Sequence, residues 1–225
     1  MNNAYKIAKD AITSNTYYKF NADYSGIVSA TGEYQSSKEA VSAVIDLQSL
    51  VDTYILNEIA CDLDIDWSSF YLSLNMTATG NKKVTFEAPW DFDSCFGIVN
   101  GVCNNAQGMY AANKGNPWFN LVKNADWFQE MVREKWAELK EYGVFDTALE
   151  IVAQEKATYK TYYQKNYEKW SERLSGNFEV ISQLNGYNQA ATAQGLASDY
   201  LTDWFTKRIA YLDRQWGAPI EIDEN

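Results

Sequence analysis

The chain has 225 residues, with 19 Lys plus Arg against 30 Asp plus Glu, giving a formal charge of −11, and it contains no histidine. The missing imidazole excludes a histidine general base, a Ser-His-Asp triad and any His-ligated zinc or haem. The acidity argues against broad binding to nucleic acid or to an anionic membrane surface, both of which need clustered Lys and Arg.

Hydrophobic residues make up 46% and aromatics 15%, enough large rings to fill a core, while 3 Pro and 12 Gly favour helices over a many-stranded sandwich. No apolar run approaches the ~18 residues of a membrane span. The opening Met1-Asn2-Asn3-Ala4-Tyr5 does not read as a signal peptide. Cys61, Cys95 and Cys103 form no CxxC pair and read as small buried hydrophobes.

Residues 1–35 are mixed and Tyr-rich, with a short helix expected over Ala4 to Ile12. Ser36-x-x-Glu39 is a capping box that opens a helix running to about Val44. Asp46 reads as a second N-cap, ahead of Leu47, Leu50, Val51, Tyr54, Ile55 and Ile59 on one helical stripe ending near Ala60. Alternation at Phe70, Leu72 and Leu74, and again at Val84, Phe86 and Ala88, predicts an antiparallel hairpin about a Thr79-Gly80-Asn81 turn. Residues 98–115 read as a loop. Beyond them the pattern is helical. Asn116-Pro117 and Asp126-x-x-Gln129 start two helices, and Gly143 stops the second. Asp146 is expected to cap a longer helix reaching Leu174, and Ala190 to Gln215 forms the last helix before Gly217. The fold class is α+β, predominantly helical.

Two places concentrate chemistry. Trp90-Asp91-Phe92-Asp93 sets two carboxylates two positions apart where a predicted strand leaves its ladder. Such a pair suits a hard cation such as Mg²⁺, and Trp90 can stack on a planar ligand. The alternative is that Trp90 and Phe92 plug the core while the aspartates bond turn amides. Asp62, Asp64 and Asp66 follow a helix, at the end where the dipole disfavours carboxylates. They form either a cation-screened group or a solvated helix terminus. Lys82 and Lys83 read as turn residues with a possible phosphate contact. Trp136, Tyr159, Trp170 and Trp204 read as core, the alternative being an exposed aromatic face that stacks on carbohydrate.

Taken together, the segments Ile45 to Tyr54, Asn57-Glu58-Ile59, Asp64 with Ser69-Phe70-Tyr71-Leu72, Phe86-Glu87-Ala88-Pro89-Trp90-Asp91-Phe92-Asp93-Ser94-x-x-Gly97, Asn116-Pro117-Trp118-Phe119 and Arg133-x-x-Trp136 resemble the CotH kinase family, over about Ala4 to Trp216. The resemblance implies an atypical kinase-like fold that uses ATP and Mg²⁺ to phosphorylate Ser or Thr of surface or spore-coat proteins outside the cell. It implies Asp91 as first metal ligand and Asp93 as second, Trp90 against the nucleotide, and Asp64 as catalytic base. Ser69 stands where the family often has an asparagine that assists the metal. Residues 1–217 are expected to form the C-terminal lobe of such a domain, its hairpin carrying the metal loop, with 218–225 a tail. The family's nucleotide-binding part is expected upstream, since residues 1–35 show neither a Gly-rich loop nor a strand-borne lysine. The rival expectation is a non-catalytic surface or spore-coat module that contacts glycan or protein through an aromatic face.

Overall fold

The computed structural model describes residues 1–62, 64–65, 68–98, 104–111, 115–174 and 190–217. It is mostly helical with two small antiparallel sheets. The chain divides into two compact units, Met1–Glu58, Asp64–Asp91 and Ala111–Lys135 in one, and Ile59–Leu63, Phe92–Tyr110 and Trp136–Asn225 in the other.

In the first unit, α1 (Asn2–Ser14) buries Ala4, Ile7, Ala8 and Ala11, the three-and-four spacing of one helical face. A hairpin follows, β1 (Tyr18–Phe20) against β2 (Ile27–Ser29), with Lys19 opposite Val28. This hairpin is not anticipated by the sequence pattern. Its strands are three residues long, and the Asn21 side chain closes its six-residue turn by accepting from the Gly26 amide. It also corrects the expectation that residues 1–35 hold no strand-borne lysine. Lys19 lies on β1, and its ammonium bonds both carboxylate oxygens of Glu33 at 2.7 and 2.6 Å.

Helix α2 (Ser37–Ser42) begins as expected, the Ser36 hydroxyl accepting from the Glu39 amide at 3.2 Å. The Glu39 carboxylate reaches back to the amide of Gln35 rather than that of Ser36. Helix α3 (Leu47–Ala60) is capped by Asp46, which accepts from the Ser49 amide at 3.0 Å. The expected hairpin is β3 (Leu72–Leu74) and β4 (Val84–Phe86), with Leu72 opposite Phe86 and Leu74 opposite Val84. Beyond the named strands the Glu87 amide still bonds the Tyr71 carbonyl. The other edge of β4 is covered too. Val84 exchanges backbone bonds with Val44 and Asp46, and the Phe86 amide donates to the Ser49 hydroxyl. A sheet edge that would otherwise expose unpaired amides is thereby closed.

Phe86 is the centre of an aromatic cluster. Its ring meets Phe70 at 5.8 Å, Trp118 at 5.7 Å and Phe119 at 6.5 Å. Tyr54 of α3 adds edge contacts to Phe119 and Phe128. Trp118 and Phe119 belong to α4 (Pro117–Val122), and Phe128 to α5 (Asp126–Glu141).

The second unit is built from the rest of α5, then α6 (Val144–Thr158), α7 (Lys160–Leu174) and α8 (Ala190–Trp216). The expected single helix from Asp146 to Leu174 is two. Gly143, at φ 64°, both ends α5 and stands as N-cap of α6, so Asp146 lies in the first turn instead of capping it. The second break comes at Tyr159, at φ −103° and ψ 9°. Neither Gly nor Pro marks it. The core of this unit is Trp136, packed on Phe145 at 4.7 Å and Trp216 at 5.2 Å.

Trp136 and Trp204 are core as expected. Tyr159 and Trp170 are not, since both are more than two-fifths exposed, as are Tyr162 and Tyr163. Cys61 and Cys95 are buried. Cys103, Asp66 and the 218–225 tail lie outside the described residues.

Candidate functional site

The aromatic cluster fixes two short segments of the first unit. Phe70, held between Phe86 and Phe119, pins the chain just after Ser69. Phe86 pins the strand that leads through Pro89 and Trp90 to Asp91. The Tyr71–Glu87 backbone bond ties the two segments together. At their ends the Ser69 hydroxyl donates to Oδ2 of Asp91 at 3.3 Å, across 22 positions of sequence.

Both partners of that bond have left-handed backbone, Ser69 at φ 58° and Asp91 at φ 67°. Non-glycine residues rarely take this conformation, and it costs on the order of 1 kcal/mol at each. Asp91 is exposed, and the Ser69 hydroxyl is its one hydrogen-bond partner among the described residues. The alternative in which the aspartate is consumed by turn amides therefore does not describe Asp91. Trp90 beside it is 61% exposed, so it is no core plug.

Asp64 is half-buried, and its main-chain carbonyl accepts from the Ser68 amide at 2.9 Å. The segment carrying it is held by a residue with a second role. Asn116 is buried at the head of α4, and its Oδ1 accepts from the amides of Trp118 and Phe119. Its Nδ2 donates to the carbonyl of Ile65 at 3.3 Å. The cap is readable from Asn-Pro, but the reach across 51 positions to the neighbour of Asp64 is not.

Asp62 and Asp93 belong to the second unit. Asp62 is only 2% exposed, which overturns the solvated-terminus alternative for that residue. Asp93 is exposed in the short 3-10 turn Phe92–Ser94, with the Ser94 hydroxyl 3.4 Å from its Oδ1. In the same unit the chain after this turn is held by α8. The Tyr200 hydroxyl and the Asn104 amide both donate to the Gly97 carbonyl at 2.7 Å, and burial raises the Tyr200 phenol above its ordinary pKa. Arg208, fully buried, donates to the carbonyls of Ala106 and Gly108, and its guanidinium carbon stands 5.4 and 5.6 Å from the ring centroids of Tyr110 and Tyr211.

No group of three or more Asp, Glu or Cys side chains arranged to hold an ion is found among the described residues. A protein cage of that kind is not what Mg²⁺ requires. It keeps several waters and takes one or two carboxylates together with substrate phosphates. An exposed aspartate carboxylate with one oxygen steered by a hydroxyl fits that mode of binding.

A family profile described as CotH kinase protein matches residues 3–212. The chain belongs to the CotH kinase family. No curated protein and no solved structure matches it. No helix among the described residues is long and apolar enough to cross a membrane.

Proposed function

We propose that this chain supplies the catalytic-lobe part of a CotH-type phosphotransferase, moving phosphate from ATP to a Ser or Thr hydroxyl of a surface or spore-coat protein outside the cell. The observation that carries the reading is the Ser69–Asp91 pair, two strained residues joined across the hairpin base beside the exposed Trp90. Phosphoryl transfer asks little covalent chemistry of a protein, because positioning and charge neutralisation do most of the work. Mg²⁺, when bound with ATP, neutralises charge on the transferring phosphoryl group. Asp91 is the residue to hold it, with Asp93 as the second candidate. Ser69 acts in this reading by fixing one carboxylate oxygen of Asp91, which leaves the other to face a ligand. Trp90 offers its ring to the flat face of the base. Asp64 orients the attacking hydroxyl and accepts its proton, and Asn116 keeps the Asp64 segment in place.

Asp91→Ala should reduce metal-dependent phosphate incorporation from labelled ATP by the intact protein to background. Asp91 is exposed, but alanine tolerates its left-handed backbone less well than aspartate, so the unfolding free energy should fall by about 1–2 kcal/mol without loss of the fold. Wild-type incorporation in Asp91→Ala would defeat the assignment. A second reading, a non-catalytic module binding glycan or protein, draws on the exposed rings of Tyr159, Tyr162, Tyr163 and Trp170. It predicts that Mg-ATP leaves the melting temperature of the intact protein unchanged, whereas a ligand of the folded state would raise it by mass action.

A further inference from the structure

The first unit contains a cavity of about 540 Å³ away from the residues assigned above. None of Asp64, Ser69, Trp90 and Asp91 lines it. Its size falls within the range of small-molecule sites. The β1–β2 hairpin and its turn supply Lys19, Phe20 and Tyr24. Tyr34 and Val44 add apolar wall, and Lys82 closes it from the turn before β4.

The charges in this lining are unequal. The Lys19 ammonium is neutralised by both oxygens of Glu33. Lys82 has no carboxylate partner among the described residues. Its ammonium bonds the carbonyls of Thr77 and Gly80 at 2.8 Å, and its third approach, to Ala78, is long at 3.5 Å. Carbonyl oxygens orient the ammonium without cancelling its charge, which stays available to an anion; the longest of the three bonds is the one an anion would replace. In a chain of net charge −11, this is a cation kept at an aromatic wall. The Lys82 nitrogen also stands 5.8 Å from the centroid of the Tyr24 ring.

The two residues that meet there are both strained. Tyr24 is at φ 59° and Lys82 at φ 57°. Left-handed backbone is a true outlier for a bulky aromatic residue. Gly80 and Asn81 precede Lys82 and would tolerate the conformation better, yet the lysine takes it. Strain of this kind persists where the surroundings enforce it, and it collects at ligand clamps.

We infer that this cavity binds a flat ring carrying an anionic group, with the ring against Phe20, Tyr24 and Tyr34 and the anion on Lys82. The anion is a carboxylate or a phosphate, and the test separates the two. The intact protein, labelled with ¹⁵N, is titrated with benzoate, phenyl phosphate and the neutral benzyl alcohol. Saturable shifts at Tyr24, Tyr34 and Lys82 are expected with at least one anion, about tenfold tighter than with benzyl alcohol, the factor one charge-assisted hydrogen bond supplies. The tighter of the two anions identifies the source chemistry. Lys82→Gln should remove that preference for the anion. Tyr24→Asn, which keeps a residue tolerant of the left-handed backbone, should weaken both anions while leaving the melting temperature near wild type. Three outcomes would overturn the inference: no saturable shift with either anion, equal affinity for benzyl alcohol, or displacement of the probe by Mg-ATP, which would return the cavity to the phosphotransfer site. Loss of phosphotransfer in Asp91→Ala bears on none of them, so the two assignments fail separately.

Discussion

Asp213 is where the second unit can be tested most sharply. Its Oδ1 accepts from the indole N–H of Trp136 at 3.0 Å and from the ammonium of Lys140 at 2.6 Å. The Lys140 bond, then the Trp136 bond, hold its carboxyl below the ordinary value of 3.8. The two interactions differ in weight. Trp136 is fully buried, so removing its acceptor strands a donor away from water, at a cost of about 1–3 kcal/mol. The ion pair is about 39% exposed on the aspartate side and 48% on the lysine side, so solvent limits it to at most about 1 kcal/mol. Asp213→Ala loses both. Asp213→Asn keeps an acceptor for the indole and loses only the charge. In urea unfolding followed by tryptophan fluorescence at neutral pH, the alanine variant should therefore be the weaker by about 1–3 kcal/mol. The pH dependence has a fixed sign. A depressed carboxyl contributes stability above its unfolded pKa and loses it as pH falls through the folded one. The gap between wild type and Asp213→Asn should thus be full at neutral pH and close below the ordinary carboxylate range. Equal loss in the alanine and asparagine variants would refute the view that the buried indole, not the ion pair, sets the cost.

Two further outcomes follow from buried amides. Asn116→Ala removes the acceptor for two amides of α4 and the donor to Ile65, and should cost about 1–2 kcal/mol in chemical denaturation. It should also speed hydrogen exchange at residues 64 and 65, whereas an effect confined to α4 would limit Asn116 to capping. Asn57 is buried, and its Oδ1 has no partner among the described residues, while its Nδ2 bonds the Thr53 carbonyl. Replacing a partly satisfied amide by an apolar group of similar shape is near neutral or favourable. Asn57→Leu should leave the melting temperature equal or higher, and a fall of several degrees would point to a buried water on that oxygen.

What was legible in the sequence was local. Ser36, Asp46 and Asn116 cap helices from within three residues of the amides they serve, so their signals sit in one short window. The β3–β4 hairpin is legible from the alternation at Leu72, Leu74, Val84 and Phe86 about one turn. The β1–β2 hairpin was illegible because three-residue strands give alternation too few steps to register. The helix break at Tyr159 carries no breaker residue. The clamp of Arg208 on Ala106 spans 102 positions, and no window connects them.

The candidate site was legible in its residue types and not in its state. From the chain alone, Trp90 with Phe92 reads first as a hydrophobic plug and second as a ligand surface, because both readings want a large ring after a strand. The packing of the neighbouring rings separates them. Phe70, Phe86, Trp118 and Phe119 already complete an apolar cluster at the hairpin base. Trp90 is therefore not required there, and it stands in solvent. The same cluster explains how a half-buried serine and an exposed aspartate can be held in left-handed backbone. Ser69 and Asp91 each lie a few residues from a ring that cannot move without opening the core, so the core offsets the strain at the surface. Phe86→Ala, which would leave a cavity costing about 3–5 kcal/mol, should consequently release the Ser69–Asp91 bond as well, although it touches neither residue.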